Sequence, residues 1–259
     1  MLSPSAIKQV VSNAYLMRAR MMNKSILKAF GVSDNQHLIN LPQHEKHLIQ
    51  KDLLKDWNDL VTLAREHGIK IAPISSYRSF EHQLKIWNLK ASGKRTLLDD
   101  KEEEVPFNHF NLNKKEDALK LIHTILRWSA LPGLSRHHWG SEFNLIDETI
   151  FETQPNYKTE LIPSEYEEGG PFYKLGEFLQ NHLKDTAFFR PYELDLGGVA
   201  REPWHISHRD YSHQMLSQIT ETDYLAFLDL YGQELILRET VVDHLDSICE
   251  RYVFNINRD

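Results

Sequence analysis

The sequence predicts an α+β fold in which a small antiparallel sheet is flanked by helices. Two observations favour this class: apolar residues recur at helical spacing near both ends of the chain, and short segments in the middle alternate as strands do. Neither an internal repeat nor a low-complexity linker is found. We therefore expect an N-terminal helical extension (1–42), an α+β domain (43–210) and a C-terminal helical extension packed on it (211–259).

Two helices are predicted in the first quarter of the chain. Residues 4–30 have apolar positions at helical spacing, and Pro4 suits the first turn of a helix that Gly31 can end. Residues 43–67 carry an apolar stripe of the same kind, and Gly68 provides a stop signal at its end.

From residue 69 the pattern changes to short strands and intervening helices. The charged and irregular stretch 92–113, which contains Pro106, is predicted to be a long surface loop. The other predicted elements are strands at 69–74, 142–147 and 199–207, and helices at 80–91, 114–128, 170–184 and 210–254, the last of them divided at Gly232.

Composition narrows the chemistry that the protein can perform. The 259 residues include 30 Lys and Arg against 37 Asp and Glu, a formal charge of −7 that disfavours nucleic acid as a partner. Cys249 is the single cysteine, which excludes a disulfide framework and a Cys-rich zinc ribbon. A metal site in this chain must therefore use some of its 14 His with oxygen ligands.

Targeting signals are not evident in the sequence. The first 22 residues are interrupted by Lys8, Arg18 and Arg20 and contain no continuous apolar segment, and no transmembrane run of about 18 apolar residues occurs. We expect a cytoplasmic protein on this ground. Export by another route, or cleavage from a longer precursor, would instead place it in the periplasm or cell envelope.

Side chains suited to a hydrolytic metal site are concentrated in two segments, 135–147 and 201–208. A catalytic zinc requires three nitrogen or oxygen ligands, an open position for water and a nearby carboxylate. Glu202 and His205 would face opposite sides of a regular strand, because they are three residues apart. Pro203 cannot join a strand ladder, so a bulge or strand end there would bring both side chains toward one site.

Three ordered motifs resemble one known family. They are Tyr-Arg-Ser-x-x-x-Gln at 77–83, Ser-x-His-x-x-Gly at 135–140 and Glu-x-Trp-His at 202–205. In order and approximate spacing they are similar to the zinc D-alanyl-D-alanine carboxypeptidases and dipeptidases of the VanY/VanX type. This group also includes lysostaphin-like endopeptidases and the sonic hedgehog fold. The resemblance covers roughly residues 45–210.

The resemblance implies a role for each matched residue. It implies one zinc ion held by His137 and His205, Glu202 as the general base, and Arg78 as a contact for the substrate or the oxyanion. Zinc brings the pKa of its water toward about 7, and a guanidinium stabilises developing negative charge. Three further residues, Ser76, Gln83 and Ser135, are expected to help place the peptide, with Gln83 orienting either the substrate or Arg78 itself.

One position departs from the family pattern. The family has a zinc-binding Asp seven residues after the first ligand His, where this chain has Asn144. An amide oxygen brings no charge, so weaker zinc binding is expected. Three alternatives stay open: Asn144 as a weaker ligand, Glu142 as its substitute from the same face of the strand, and a site without functional zinc.

The resemblance therefore predicts a zinc carboxypeptidase that hydrolyses a C-terminal D-Ala-D-Ala type bond of a peptidoglycan stem peptide. A catalytically weakened or dead protein that still binds this peptide is the alternative, because of Asn144. An endopeptidase or an L,D-carboxypeptidase would share every one of these motifs, so the residues do not choose among them.

Overall fold

The structure, a computed structural model, describes Met22 and residues 24–258. Most of the helix predicted over 4–30 lies outside the described residues, and its last part is the helix α1, Lys24–Ala29. Gly31 follows with a φ of +83°, and a Cβ at this position would lie 2.4 Å from Nδ1 of His138. Glycine is therefore required both by the backbone conformation and by the approach of an imidazole.

The prediction of one helix over 43–67 is wrong in its first part. Leu38–Leu41 (β1) and His44–Gln50 (β2) form an antiparallel hairpin, with Gln43 at a φ of +67° in the turn. Only after a 3₁₀ turn, Lys51–Leu53, does the helix α2 begin, and it covers Leu54–Glu66. The apolar spacing of β2 is compatible with a helix, but its backbone groups pair with β1, which a local pattern does not reveal.

The remaining elements agree with most of the predicted ranges. Ser79 caps the helix at 80–91 by accepting a hydrogen bond from the His82 N–H, 3.2 Å away. In chain order they are β3 (Ile71–Ser75), α3 (Phe80–Ala91), α4 (Lys115–Leu126), β4 (Glu142–Asp147), α5 (Ile150–Thr153), α6 (Tyr173–His182), β5 (Phe188–Phe189), β6 (His205–His208), α7 (Arg209–Leu216), α8 (Glu221–Tyr231), α9 (Arg238–Asp243) and α10 (Leu245–Ile248), with a π-helix at Cys249–Val253.

Four strands form an antiparallel sheet in the order β3-β4-β6-β5. The strand predicted at 199–207 begins too early, because residues 202–205 form a turn in which the His205 N–H donates to the Glu202 carbonyl at 3.1 Å. Pro203 has no N–H to contribute to a ladder there. The expectation that this proline brings Glu202 and His205 together is confirmed, since their side chains are 2.8 Å apart.

The two faces of the sheet have different environments. Phe143 and Leu145 of β4 point into an apolar core with α2 and α6, where Phe143 packs 4.5 Å from Trp57 between ring centroids. Glu142 and Asn144 alternate with them and therefore face the other side. A second apolar core joins α3 and α4 to the C-terminal helices. The three-part division of the chain stays a prediction.

No helix in the described part of the chain is long and apolar enough to cross a bilayer. The predicted α+β class, with its small antiparallel sheet and flanking helices, is confirmed by the arrangement of these elements.

Candidate active site

A small cavity of about 80 Å³ lies on the polar face of the sheet. It is bounded by β4 and β6, by the turns that precede α3 and β4, and by the segments 128–130 and 192–202. Six residues that the sequence singled out line it: Arg78, Ser135, His137, Asn144, Glu202 and His205. Residues from three distant parts of the sequence thus share one cavity.

His137 lies in a short 3₁₀ turn, Arg136–Trp139, and is buried. Its Nδ1 is 2.8 Å from the Ser76 carbonyl oxygen. Because a carbonyl can only accept, Nδ1 carries the proton and the lone pair is left on Nε2. Burial, together with the charge of Arg78, holds the pKa of His137 well below its usual value, so the imidazole is neutral.

Asn144 and His205 are register partners on β4 and β6. Residues paired in this way share a face of the sheet, and the rings of His137 and His205 are 5.0 Å apart between centroids. Oδ1 of Asn144 is buried and has no hydrogen-bond partner among the described residues. A buried acceptor without a partner is costly, which fits an oxygen placed to bind a cation.

His205 lies between two carboxylates. Its Nδ1 is 2.8 Å from Oε2 of Glu202, on the cavity side, and its Nε2 is 3.1 Å from Oε2 of Glu142. Burial alone would lower the pKa of His205, but the hydrogen bonds to Glu142 and Glu202 outweigh it and raise the pKa. Without a metal ion, Nδ1 of His205 donates to Glu202 and Nε2 donates to Glu142.

Glu142 is fully buried behind His205 and does not line the cavity. Its carboxylate accepts hydrogen bonds from Arg136 Nε at 3.2 Å, Ser207 Oγ at 2.7 Å and Ser141 Oγ at 3.1 Å. Burial tends to raise the pKa of Glu142, but the charge of Arg136 and the hydrogen bond from His205 outweigh it and lower the pKa. This position argues against Glu142 as a direct metal ligand.

Arg78 enters the cavity from the turn before α3. Its Nη1 donates to Gln83 Oε1 at 2.6 Å and its Nη2 donates to Ser75 Oγ at 2.7 Å. Burial lowers its pKa to about 10, which leaves the guanidinium charged at neutral pH. Gln83 also donates to the Ala130 carbonyl at 2.7 Å, so it acts on Arg78 from behind.

The three residues expected to place the peptide occupy different positions. Ser135 lines the cavity, whereas Ser76 and Gln83 do not. The Ser76 hydroxyl is 3.1 Å from Nδ1 of His47 and accepts a hydrogen bond from the Leu48 N–H, which ties it to the hairpin. The structure therefore places only the Ser76 carbonyl near the site, where it orients His137.

The sequence analysis missed two conspicuous residues that line the cavity, Arg136 and Tyr192. Tyr192 packs edge-on against His205 with ring centroids 5.0 Å apart, and its carbonyl accepts the Glu202 N–H at 2.9 Å. The position of Arg136 inside the 135–140 motif is a signal that could have indicated it. No local pattern indicates Tyr192, because it reaches the site through an irregular segment.

The cavity residues fit a divalent cation. In the described part of the chain, no group of three or more His, Cys, Asp and Glu is arranged to hold a metal. Three atoms at the cavity would suit a cation if an amide took one place: His137 Nε2, His205 Nδ1 and Asn144 Oδ1, with the Glu202 carboxylate beside them. Two histidines, one oxygen donor and a neighbouring carboxylate form the donor set that hydrolytic zinc sites use.

Comparison with known proteins identifies the class. The family model described as "VanY: D-alanyl-D-alanine carboxypeptidase" matches residues 46–211. This match covers more than half of the chain, so the protein belongs to that family. The predicted resemblance is confirmed, and with it the prediction of a hydrolytic enzyme of the cell-wall peptide type.

Two relatives are uncharacterised proteins of Haemophilus influenzae. One is 30% identical over 129 residues, which are 46% of this chain and 89% of the relative. The other is 37% identical over 98 residues, which are 37% of this chain and 63% of the relative. Neither relative carries a description of its activity.

Similar solved structures include VanYB in complex with D-Ala-D-Ala, at 19% identity and a TM-score of 0.46, covering 79% of this chain and 87% of that one. A VanY D,D-pentapeptidase in complex with Zn(II) has 20% identity and a TM-score of 0.46, with 80% and 91% covered. The LdcB LD-carboxypeptidase has 17% identity and a TM-score of 0.45, with 75% and 79% covered. Similarity at this level carries no argument about chemistry.

Proposed function

We propose that this protein is a zinc carboxypeptidase that hydrolyses the C-terminal D-Ala-D-Ala type bond of a peptidoglycan stem peptide. The observation that supports it most is the buried Oδ1 of Asn144, which lacks a hydrogen-bond partner among the described residues and faces His205 across the β4–β6 pair. His137 Nε2, Asn144 Oδ1 and His205 Nδ1 would hold the ion.

Glu202 is the proposed general base. When bound, zinc makes a water molecule more acidic and polarises the scissile carbonyl. Glu202 accepts the proton as the water oxygen bonds to the carbonyl carbon, and it returns a proton to the amine when the C–N bond breaks. The distance of 2.8 Å between this carboxylate and His205 Nδ1 supports the proposed role.

Arg78 is proposed to stabilise the negative charge of the substrate. The guanidinium is fixed by Gln83 and Ser75 and remains charged although it is buried. A charge held in this way interacts strongly with a developing oxyanion or with the terminal carboxylate of the peptide. Ser135 on the same cavity wall is a candidate contact for the peptide.

A second candidate function is peptide binding without efficient hydrolysis. It is favoured by one observation, that the three proposed donors are all neutral because position 144 is an amide. A neutral donor set binds a divalent cation less tightly than one with a carboxylate. Such a protein would retain the cavity and Arg78 but turn over slowly.

The test measures zinc content and D-alanine release together. Purified protein is analysed for bound metal and then incubated with a peptide ending in D-Ala-D-Ala, with added zinc or after chelation. We expect zinc-dependent release of D-alanine that is lost in Glu202→Ala. Weak or absent zinc binding without D-alanine release would contradict the carboxypeptidase and support the peptide-binding function. Stoichiometric zinc without D-alanine release would contradict D-Ala-D-Ala as the substrate.

A further inference from the structure

None of the three proposed metal ligands carries a negative charge. The buried carboxylate of Glu142, which makes four hydrogen bonds next to the site, is not one of these ligands. We propose that Glu142 is the positioning residue of His205: it keeps the ring proton on Nε2 and strengthens Nδ1 as a donor, which offsets the weak donor Asn144. This inference rests on the proposed zinc function. It assigns Glu142 a role behind the site rather than in it.

The β4–β6 register explains how Glu142 reaches His205. Glu142 pairs with Ser207, and Asn144 pairs with His205. All four side chains lie on the same face, because residues two apart on a strand point the same way. Glu142 is therefore the diagonal neighbour of His205, and its Oε2 is 3.1 Å from Nε2.

The carboxylate of Glu142 is fixed on all sides. Arg136 Nε and His205 Nε2 contact Oε2, while the hydroxyls of Ser207 and Ser141 donate to Oε1. Arg136 is itself held by a 2.6 Å hydrogen bond from Nη2 to Ser207 Oγ and by the ring of Trp139, 4.8 Å away. These contacts from Arg136, His205 and two serine hydroxyls hold the fully buried carboxylate of Glu142 in one position.

The Glu142 carboxylate beside Nε2 already accepts hydrogen bonds from Arg136, Ser141 and Ser207, and this contact determines which nitrogen of His205 carries the proton. A carboxylate can only accept, so the proton that His205 keeps is the one on Nε2. The lone pair then stands on Nδ1, which faces the cavity and Glu202. A carboxylate bonded to the far nitrogen of an imidazole also raises the basicity of the near one, and loss of such a partner typically weakens metal binding by 10–100-fold.

His137 provides the internal contrast. Its far nitrogen donates to the Ser76 carbonyl, a neutral partner. Of the two histidines, only His205 has a carboxylate as the partner of its far nitrogen. His205 is also the histidine that pairs across the sheet with the neutral amide of Asn144.

The experiment compares zinc affinity in Glu142→Gln and the wild type by competition with a chromophoric chelator. Glutamine keeps the shape and can still accept from Ser207, but it lacks the charge. We expect zinc affinity to fall roughly 10–100-fold. Glu165→Gln is the matched control, since Glu165 is also a buried carboxylate, bonded to Tyr157 and to the Leu161 N–H and not part of the cavity. Its affinity should stay within about twofold of the wild type.

A second measurement uses the wild type alone and does not depend on whether the variant folds. Nitrogen-15 spectra of the zinc-loaded protein should show His205 protonated on Nε2 and coordinated through Nδ1. Coordination through Nε2 would overturn the inference, as would unchanged zinc affinity in a folded Glu142→Gln. Failure of the wild type to bind zinc would overturn the proposed function as well, so the two failures are distinguishable.

Discussion

The two walls of the cavity are built in different ways. The strand wall, consisting of His137, Asn144 and His205, lies on or next to the sheet, and its two strand residues are fixed by the β4–β6 ladder. The loop wall, consisting of Tyr192, Val199 and Glu202, belongs to an irregular segment between β5 and β6. Two of the three proposed metal donors therefore stand on strands, whereas the proposed base stands on a loop.

The loop wall is held by residues far away in the sequence. Arg127 donates to the Gly198 carbonyl at 2.5 Å, and the backbone N–H of Asn257 donates to the Pro191 carbonyl at 2.9 Å. Arg251 Nε donates to the Gly197 carbonyl at 2.6 Å. Two of these three residues lie beyond residue 211, where the family match ends. The C-terminal segment therefore supports the loop wall in this chain.

The largest effect is expected for Glu202→Gln, which tests whether the loop wall supplies the base while the strand wall holds the metal. Glu202→Gln removes the proposed base but keeps the shape of the side chain, so kcat should fall by roughly 100–10,000-fold. Zinc affinity, which belongs to the strand wall, should change by less than about tenfold. Steady-state kinetics and chelator competition measure the two quantities. Equal losses in both would mean that the walls do not act separately.

Acid should lower the stability of the fold through His138, the chain neighbour of His137 in the strand wall. Its Nδ1 donates to the Arg78 carbonyl and its Nε2 accepts the Gly133 N–H, so it is buried as the neutral form. Burial, with the charge of Arg78, lowers the pKa of His138 to about 4. The unfolded chain then binds more protons below about pH 6.5, and stability falls as the pH falls from there toward 4.

For His138 alone this loss of unfolding free energy amounts to about 2 kcal/mol at pH 5. Urea denaturation at pH 7.5 and pH 5 measures it, and His138→Gln, which keeps a donor and an acceptor, should flatten the difference by that amount. If the variant loses as much unfolding free energy between pH 7.5 and pH 5 as the wild type, His138 is not the source of this loss.

Asn144→Asp tests whether position 144 of the strand wall is a metal ligand. A carboxylate adds a charge to a neutral donor set, and zinc affinity should rise by about tenfold or more. The backbone of β4 is unchanged, so the loop wall and Tyr192 should be unaffected. Chelator competition and D-alanine release measure the outcome. A variant that binds zinc no more tightly would argue against position 144 as a donor.

The smallest effect concerns the support of the loop wall. A Cβ at Gly198 would lie 2.0 Å from the Arg251 carbonyl oxygen, so Gly198→Ala must push the loop and the C-terminal segment apart. We expect kcat/KM to fall several-fold while zinc affinity is unchanged, with a loss of about 1–3 kcal/mol in unfolding free energy. In the control, Gly169→Ala, the added Cβ meets no atom within 4 Å, and the φ of +88° makes the cost one of backbone strain outside the loop wall, so kcat/KM should be unchanged. A loss of zinc affinity in Gly198→Ala would contradict the separation of the walls.

Sequence alone determined the features that depend on local spacing. The helix at 80–91 and the strand at 142–147 have the predicted bounds, because capping, apolar period and alternation are local properties. The turn at Pro203 follows from a missing N–H. The three motifs also contain several residues that line the cavity, among them Arg78, His137 and Glu202.

Only the tertiary structure decided the features that depend on non-local pairing. β2 is a strand because β1 supplies its hydrogen bonds, although its own apolar spacing is compatible with a helix. Glu142 lies behind His205, and Tyr192 beside it, because strand register and the distant C-terminal segment place them there. Hydrogen bonds between residues far apart in the chain leave no period in the sequence, so the surroundings of each predicted site residue emerge only when the chain is folded.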